Sequence, residues 1–140
     1  MKSWNLLLLI SIAVVSLSGC RKPSEVSGEV KFEDGAPLMH GRVEFKPKNG
    51  DAGFWAQLTE DGTFVVDPGL TPQAGEYVVT LSAAQSPEII EEDAKGNHIV
   101  KAPSKPLVDD KKYGDASKSP LTATIEPGKN ELTLTVDRLP

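Results

Sequence analysis

Cysteine is nearly absent: Cys20 is the only one in 140 residues, so no disulfide can close within the chain. Histidine is almost as scarce. His40 and His98 lie in separate polar stretches and, with no second cysteine to join them, carry no zinc-ligand spacing. No apolar stretch reaches the roughly 20 residues that a membrane-spanning helix needs. The best candidate, residues 6–17, stops at twelve and includes Ser11 and Ser16. Excess positive charge is also missing: 15 Lys and Arg stand against 20 Asp and Glu, a net charge of −5. A chain of that sign gains nothing from a phosphate backbone, which excludes nucleic acid as a partner. There is no Gly-x-Ser-x-Gly elbow, no phosphate-cradling glycine loop and no dinucleotide fingerprint. Acids are plentiful, but no pair can be assigned to opposite sides of a cleft, as glycoside hydrolysis requires. The reading is a protein that is not an enzyme and uses no cofactor.

Two acidic runs could in principle supply oxygens to calcium: Asp109, Asp110 and Asp115, and Glu91, Glu92 and Asp93. Neither has EF-hand order or spacing, and runs of charge usually mark solvated faces, so no metal site is expected.

What is present begins at the N-terminus. Lys2 precedes the apolar residues 6–17, and Leu17-Ser18-Gly19-Cys20 follows. A basic residue, a short apolar segment and small residues before a cleavage point form a signal peptide. With the sole cysteine in this place, the segment resembles the lipobox of a bacterial lipoprotein precursor. The resemblance implies removal of residues 1–19, lipidation of Cys20 and a membrane partner engaged through that anchor. One acyl chain anchors only marginally, but the several carried by a mature lipoprotein anchor stably. Arg21 rather than Asp follows Cys20. The sorting pattern this resembles implies the outer membrane, with the protein facing the periplasm or the cell surface. Cleavage would remove one lysine and no acid, taking the net charge from −5 to −6.

Residues 20–25 read as the lipidated cysteine and a tether, and residues 26–138 as one domain of ordinary size. Eleven Pro and twelve Gly point to many turns and a β-rich fold. Val26, Val30 and Phe32 alternate with Ser27, Glu29 and Lys31, the period of a half-buried strand. Val43 and Phe45 alternate with Arg42, Glu44 and Lys46. Residues 54–59 form a third strand, with Phe54 and Leu58 assigned inward. Glu60-Asp61-Gly62 turns the chain into a fourth at residues 63–66, the clearest hairpin. Tyr77, Val79 and Leu81 are in phase in a fifth, Leu121, Ala123 and Ile125 in a sixth. After a turn at residues 127–130, Leu132, Leu134 and Val136 mark a seventh. No segment reads as a convincing helix. Seven short strands with no helix to cover them predict an antiparallel β-sandwich.

Residues 84–120 interrupt this pattern with four Pro and thirteen charged residues. Loops this long inside a domain are uncommon and often functional. Ile89-Ile90 and Ile99-Val100 flank a polar centre at residues 93–97, and a small β-excursion there is expected to bury part of that apolar surface. Overall the segment reads as a solvated insertion tying two strands together. Trp55 is the only tryptophan downstream of Cys20. Strand neighbours point to opposite faces, so an inward Phe54 puts Trp55 outward. The favoured reading has Trp55 covering the edge of the sandwich or lying under the insertion. The alternative makes it a sugar-stacking platform, with Gln57 and Thr59 as polar contacts.

The order of motifs carries a resemblance. Val26-Ser27-Gly28-Glu29-Val30, then Asp34-Gly35-Ala36-Pro37-Leu38 and Val43-Glu44-Phe45, resembles the opening of a carboxypeptidase regulatory-like domain. The hairpin Thr59-Glu60-Asp61-Gly62-Thr63-Phe64 and the strand opening Gly75-Glu76-Tyr77-Val78-Val79 follow in that family's order. Lys112-Tyr113-Gly114-Asp115 and Ser119-Pro120-Leu121-Thr122 resemble the closing part of small lipoproteins with this domain. The resemblance implies a seven-stranded, transthyretin-like (prealbumin-like) sandwich and no activity, since the family's type domain is an accessory module. The hydrolase of 5-hydroxyisourate shares that architecture, but this chain lacks its Tyr-Arg-Gly-Ser ending and its histidines. The function expected is a non-catalytic, lipid-anchored envelope protein with a structural or protein-interaction role. The alternative is a carbohydrate-binding module centred on Trp55.

Overall fold

In the computed structural model, which describes residues 22–50, 52–86, 89–102 and 105–140, the alternating segments become strands of an all-β protein. In chain order they are β1 (Ser24–Phe32), β2 (Arg42–Pro47), β3 (Phe54–Gln57), β4 (Thr63–Val65), β5 (Gly75–Ser82), β6 (Ile89–Glu92), β7 (His98–Ala102), β8 (Thr122–Ile125) and β9 (Gly128–Val136). Two sheets, β4-β1-β9 and β3-β2-β5-β8, form a β-sandwich, and β6-β7 form a separate two-stranded ribbon.

Period two explains which residues meet. Val26, Val30 and Phe32 from β1, Phe64 from β4, and Leu134 and Val136 from β9 are buried on the inner face of one sheet. Val43, Phe45, Phe54, Tyr77, Val79 and Leu81 are buried on the inner face of the other. The register places Phe45 beside Phe54 on one flank and Val79 on the other. Phe45 stacks on Phe54 at 4.6 Å between centroids and reaches Phe64 of the opposite sheet at 5.9 Å. Aromatic pairs at such distances add about 0.5–1.5 kcal/mol beyond the area they bury.

Several sequence-based expectations change. The sandwich is not wholly antiparallel: β1 and β9 run parallel over their full length, from Ser24 opposite Gly128 to Phe32 opposite Val136. Parallel neighbours need a crossover, and here most of the chain intervenes. The first strand begins earlier than residue 26: Ser24 and Glu25 already belong to β1. β3 ends at Gln57, so Thr59 lies in the hairpin that follows. Residues 128–130 are not a turn but the start of β9. Two short helical pieces exist: a 3-10 turn at Pro68–Leu70 and α1 at Asp110–Tyr113, each started by an aspartate (Asp67 or Asp109) that accepts from a backbone N–H.

The 84–120 segment is only partly an insertion. Ala84, Val108 and Tyr113 are buried in the core. They went unread because none sits in an alternating or helical pattern. The β-excursion exists as β6-β7, but it does not bury its apolar residues: Ile89, Ile90, Ile99 and Val100 are 48–54% exposed.

Asn130 joins the two sheets at the corner where β8 gives way to β9. It is 9% exposed. Its Nδ2 donates to the carbonyls of Glu25 (3.1 Å), Glu126 (2.8 Å) and Gly128 (3.0 Å). Its Oδ1 accepts from the N–H of Glu126 at 2.9 Å. Only an amide both donates and accepts in this way. Asn130→Asp is expected to destabilise the fold by about 2–4 kcal/mol at neutral pH, since a carboxylate would face three carbonyls with nothing to donate. Asn130→Ala is expected to cost less. Urea unfolding of both variants checks the order, and equal costs would refute the donor argument.

Candidate functional site

The sandwich has two distinct ends. At one, the described chain enters: Gly128 N–H donates to Pro23 at 3.3 Å, and Lys22, Pro23, Ser24, Gln73 and Pro127 line a groove of 260 Å³. Tyr77 Oη donates to the Gln73 carbonyl at 2.8 Å, which ties that groove to the core.

The opposite end carries the root of the ribbon. β5 leaves the sheet through Ala83, whose φ of 52° is left-handed. A non-glycine residue held there costs roughly 1–2 kcal/mol. The outgoing and returning segments then pair. Leu107 N–H donates to Ala84 at 2.8 Å, Ser86 N–H to Lys105 at 2.8 Å, and Lys105 N–H to Ser86 Oγ at 3.0 Å. Beyond this root, Ile90 faces Val100 on one side of the ribbon, and Glu91 faces Ile99. The tip is closed by Asp93, which accepts from the N–H groups of Lys95 (2.8 Å) and Asn97 (2.9 Å) and from the Asn97 amide (3.0 Å). The Asn97 amide, first, and then the two N–H groups hold the Asp93 carboxyl below its ordinary value.

The C-terminal segment braces that root. Leu139 N–H donates to Leu107 at 3.1 Å. Tyr113 Oη accepts from Asp137 N–H at 3.0 Å and donates to the Asp137 carboxylate at 3.1 Å, which also pairs with Lys112. The Lys112 ammonium, and after it the Tyr113 hydroxyl, lowers the Asp137 carboxyl from its ordinary value, and Asp137 raises Lys112 in turn. Arg138 lies over the Phe32 ring at 3.8 Å and 3.6 Å from Asp34.

The sequence-predicted site residues do not converge. Leu17, Ser18, Gly19 and Cys20 lie outside the described residues. Trp55 points outward from β3, an outer strand of its sheet, and is 46% exposed. On one side it is covered by the Arg42 guanidinium, 4.4 Å from the ring. The Gln57 amide donates to the Gly41 carbonyl at 2.8 Å, and Thr59 is hydrogen-bonded to Thr63 at 2.8 Å in the hairpin. Both side chains therefore hold local structure. His98 is on the ribbon and His40 precedes β2. Three of the acids weighed for calcium serve their own turns: Asp93 closes the ribbon tip, Asp109 caps α1, and Asp115 accepts from Ser117 N–H and Oγ. Among the described residues, no group of three or more His, Cys, Asp or Glu is placed to hold a metal. No described helix is long and apolar enough to cross a membrane.

Together with outward residues of the sheets, the 84–120 segment is offered by the sequence as a contact surface. The structure adds that its apolar residues Ile89, Ile90, Ile99 and Val100 stand half exposed on the ribbon instead of partly buried.

No family model matches the chain, and no curated protein matches it. Among solved structures, it is similar to BcpA, the major pilin subunit of Bacillus cereus, with a TM-score of 0.45 and 8% identity over 84% of this chain and 31% of that one. A single-site variant of the same pilin gives 0.45 and 11% over 85% and 30%. A 9R-lipoxygenase from Cyanothece PCC8801 gives 0.37 and 11% over 85% and 17%. The chain thus spans about a third or less of each of these proteins, and none of the three likenesses assigns a family or an activity.

The Asp137 tie predicts a pH dependence. A carboxyl lowered on folding stabilises above its unfolded value, about 3.9, and loses that contribution as pH falls through the folded value. Asp137→Asn is therefore expected to be less stable than wild type at neutral pH, with the gap closing below about pH 4. Paired urea melts across that range check it, and a gap that persists at the acid end would refute it.

Proposed function

We propose that this protein is a non-catalytic, lipid-anchored module of the bacterial cell envelope, whose transthyretin-like sandwich presents an interaction surface to another envelope component. In this reading Cys20 carries the lipid after removal of residues 1–19, in the outer membrane and facing the periplasm or the cell surface. The observation that carries the reading is the separation of the two ends. The chain enters beside Ser24, at the start of β1, while the ribbon is rooted beside Leu107, next to the end of β9. β1 spans nine residues, or about 26 Å at 3.3 Å per residue step. A surface at the ribbon is thus held one full strand length from the tether.

The ribbon suits such a role energetically. Among the described residues, none of the ribbon is buried in the sandwich core. Four half-exposed β-branched side chains on a two-stranded element gain by being covered, at about 25 cal/mol per Å² of apolar surface. A two-stranded hairpin alone is only marginally stable in water, so a partner would also order it.

The carbohydrate-binding alternative rests on the half-exposed Trp55 alone, since Gln57 and Thr59 are engaged elsewhere.

The test is capture from cross-linked native envelopes with the full chain, against Cys20→Ala, the double variant Ile90→Ser/Val100→Ser, and Val65→Ser as an exposed apolar control on β4. The expected result is one protein partner held by wild type and Val65→Ser, reduced at least about ten-fold in the ribbon variant and lost without the anchor. The ribbon substitutions are expected to leave unfolding stability within about 0.5 kcal/mol, as surface changes do. Capture unaffected by the ribbon changes would overturn the reading. Recovery of glycan in place of protein, abolished by Trp55→Ala, would establish the alternative.

A further inference from the structure

The four outer strands of the two sheets are unequal. β4 has three residues, β3 four and β8 four. β9 has nine, with no proline and one lysine. Proteins ordinarily blunt outer strands by keeping them short, charged, bulged or covered. Three of these strands follow that rule and β9 does not.

The register shows which groups β9 leaves unpaired. Gly128 N–H points toward β1, bonding Pro23, and the residues Asn130, Leu132, Leu134 and Val136 follow the same phase. Lys129, Glu131, Thr133 and Thr135 therefore turn both N–H and C=O away from β1. Among the described residues, no backbone bond engages those outward groups. On the inner face, Leu132 at the middle of the strand is only partly buried, whereas Leu134 and Val136 are buried.

We propose that two copies of this chain pair through β9, antiparallel about a two-fold axis at Leu132. Length, hydrogen-bond phase and charge all agree with that register. Centring on Leu132 aligns all nine residues, Gly128 opposite Val136 of the second copy. It sets Lys129 opposite Thr135 and Glu131 opposite Thr133, so each outward N–H and C=O meets its complement and about eight hydrogen bonds form. It places no like charges directly opposite. Moving the axis one residue toward the N-terminus puts Glu131 opposite itself. Moving it one residue the other way leaves two residues of each β9 unpaired. Glu131 also lies 3.2 Å from Lys129 of its own strand, which blunts its approach to the second Glu131 on the diagonal. The two Leu132 side chains meet at the axis, on the face that is now partly open. The result is one continuous six-stranded sheet, β4-β1-β9 joined to β9-β1-β4.

The second copy fits this edge better than an unrelated strand does, because the match of length, phase and charge is a property of β9 against itself. The pairing does not depend on the lipid anchor or on the ribbon. Antiparallel copies carry their chain-entry points at opposite ends of the pair.

The test uses the full chain in mild detergent, oxidised with copper phenanthroline. At a non-hydrogen-bonded antiparallel pair the Cα atoms are about 4.5 Å apart, inside the range a disulfide spans. Leu132→Cys is expected to give a covalent dimer at least about ten-fold faster than Val65→Cys, with wild type setting the background from Cys20. Thr133→Pro removes an N–H that points away from β1, a substitution tolerated on an outer strand. It is expected to keep the monomer folded, as read by its melting curve, while lowering dimer content in sedimentation at least about ten-fold. A monomer at all concentrations, or equal cross-linking of Leu132→Cys and Val65→Cys, would overturn the pairing. Neither result would bear on capture through the ribbon.

Discussion

The contact of Phe45 with Phe64 across the gap between the sheets is the constraint on which the rest depends. Each ring is essentially inaccessible, and each belongs to a different sheet. Phe45 also stacks on Phe54 and meets Tyr77 edge-on at 6.4 Å, so one side chain sets the spacing of three strands and the layer opposite. Phe64 fits because Gly28, its partner on β1, has no side chain: a Cβ there would lie 2.9 Å from the Phe64 ring. With that ring seated, β1 is fixed between β4 and β9, and its two ends become the ends where the described chain enters and where the ribbon is rooted. The separation of chain entry and ribbon thus follows from core packing.

The strands were legible because burial on one face imposes period two, and that period survives in Val26/Val30/Phe32, Val43/Phe45 and Leu132/Leu134/Val136. Strand direction was not. Alternation reads the same for parallel and antiparallel neighbours, so nothing in Leu132, Leu134 and Val136 announces that β9 runs alongside β1. Asn130 looks in sequence like a turn residue after Pro127-Gly128, and its chemistry as a four-bond corner emerges only once Glu25 and Glu126 are brought to it. Val108 and Tyr113 were hidden for a different reason. Val108 is half of a Leu107-Val108 pair ahead of two aspartates, and Tyr113 follows two lysines; neither belongs to a longer apolar pattern, so there is no period to detect.

The same logic separates what could and could not be read about Trp55. Its outward direction follows from its neighbour Phe54 being in the core, which needs only the pleat. The guanidinium over its ring comes from β2, and the sequence carries no sign of that pairing. Cation–π contacts at exposed sites contribute about 0.5–1 kcal/mol, so Arg42 is a modest competitor for anything else that would stack there. Gln57 shares a strand face with Trp55, yet its amide is committed to Gly41. Proximity in sequence therefore overstated the polar company that Trp55 keeps.

Two features break the local rules that the rest of the chain obeys: an apolar ribbon left half open and a nine-residue outer strand left uncovered. A fold that invests in an inter-sheet aromatic contact, a four-bond asparagine and aspartate-capped turns is locally consistent almost everywhere. Against that background, exceptions concentrate where a sequence answers to something outside its own core. The ribbon is rooted through a left-handed Ala83 and braced by the C-terminal segment, and together they hold its direction of departure. β9 has the phase, length and charge order to match its own copy. The two exceptions lie on different parts of the surface and make different demands, one for apolar cover and one for backbone partners. A single contact would not satisfy both demands.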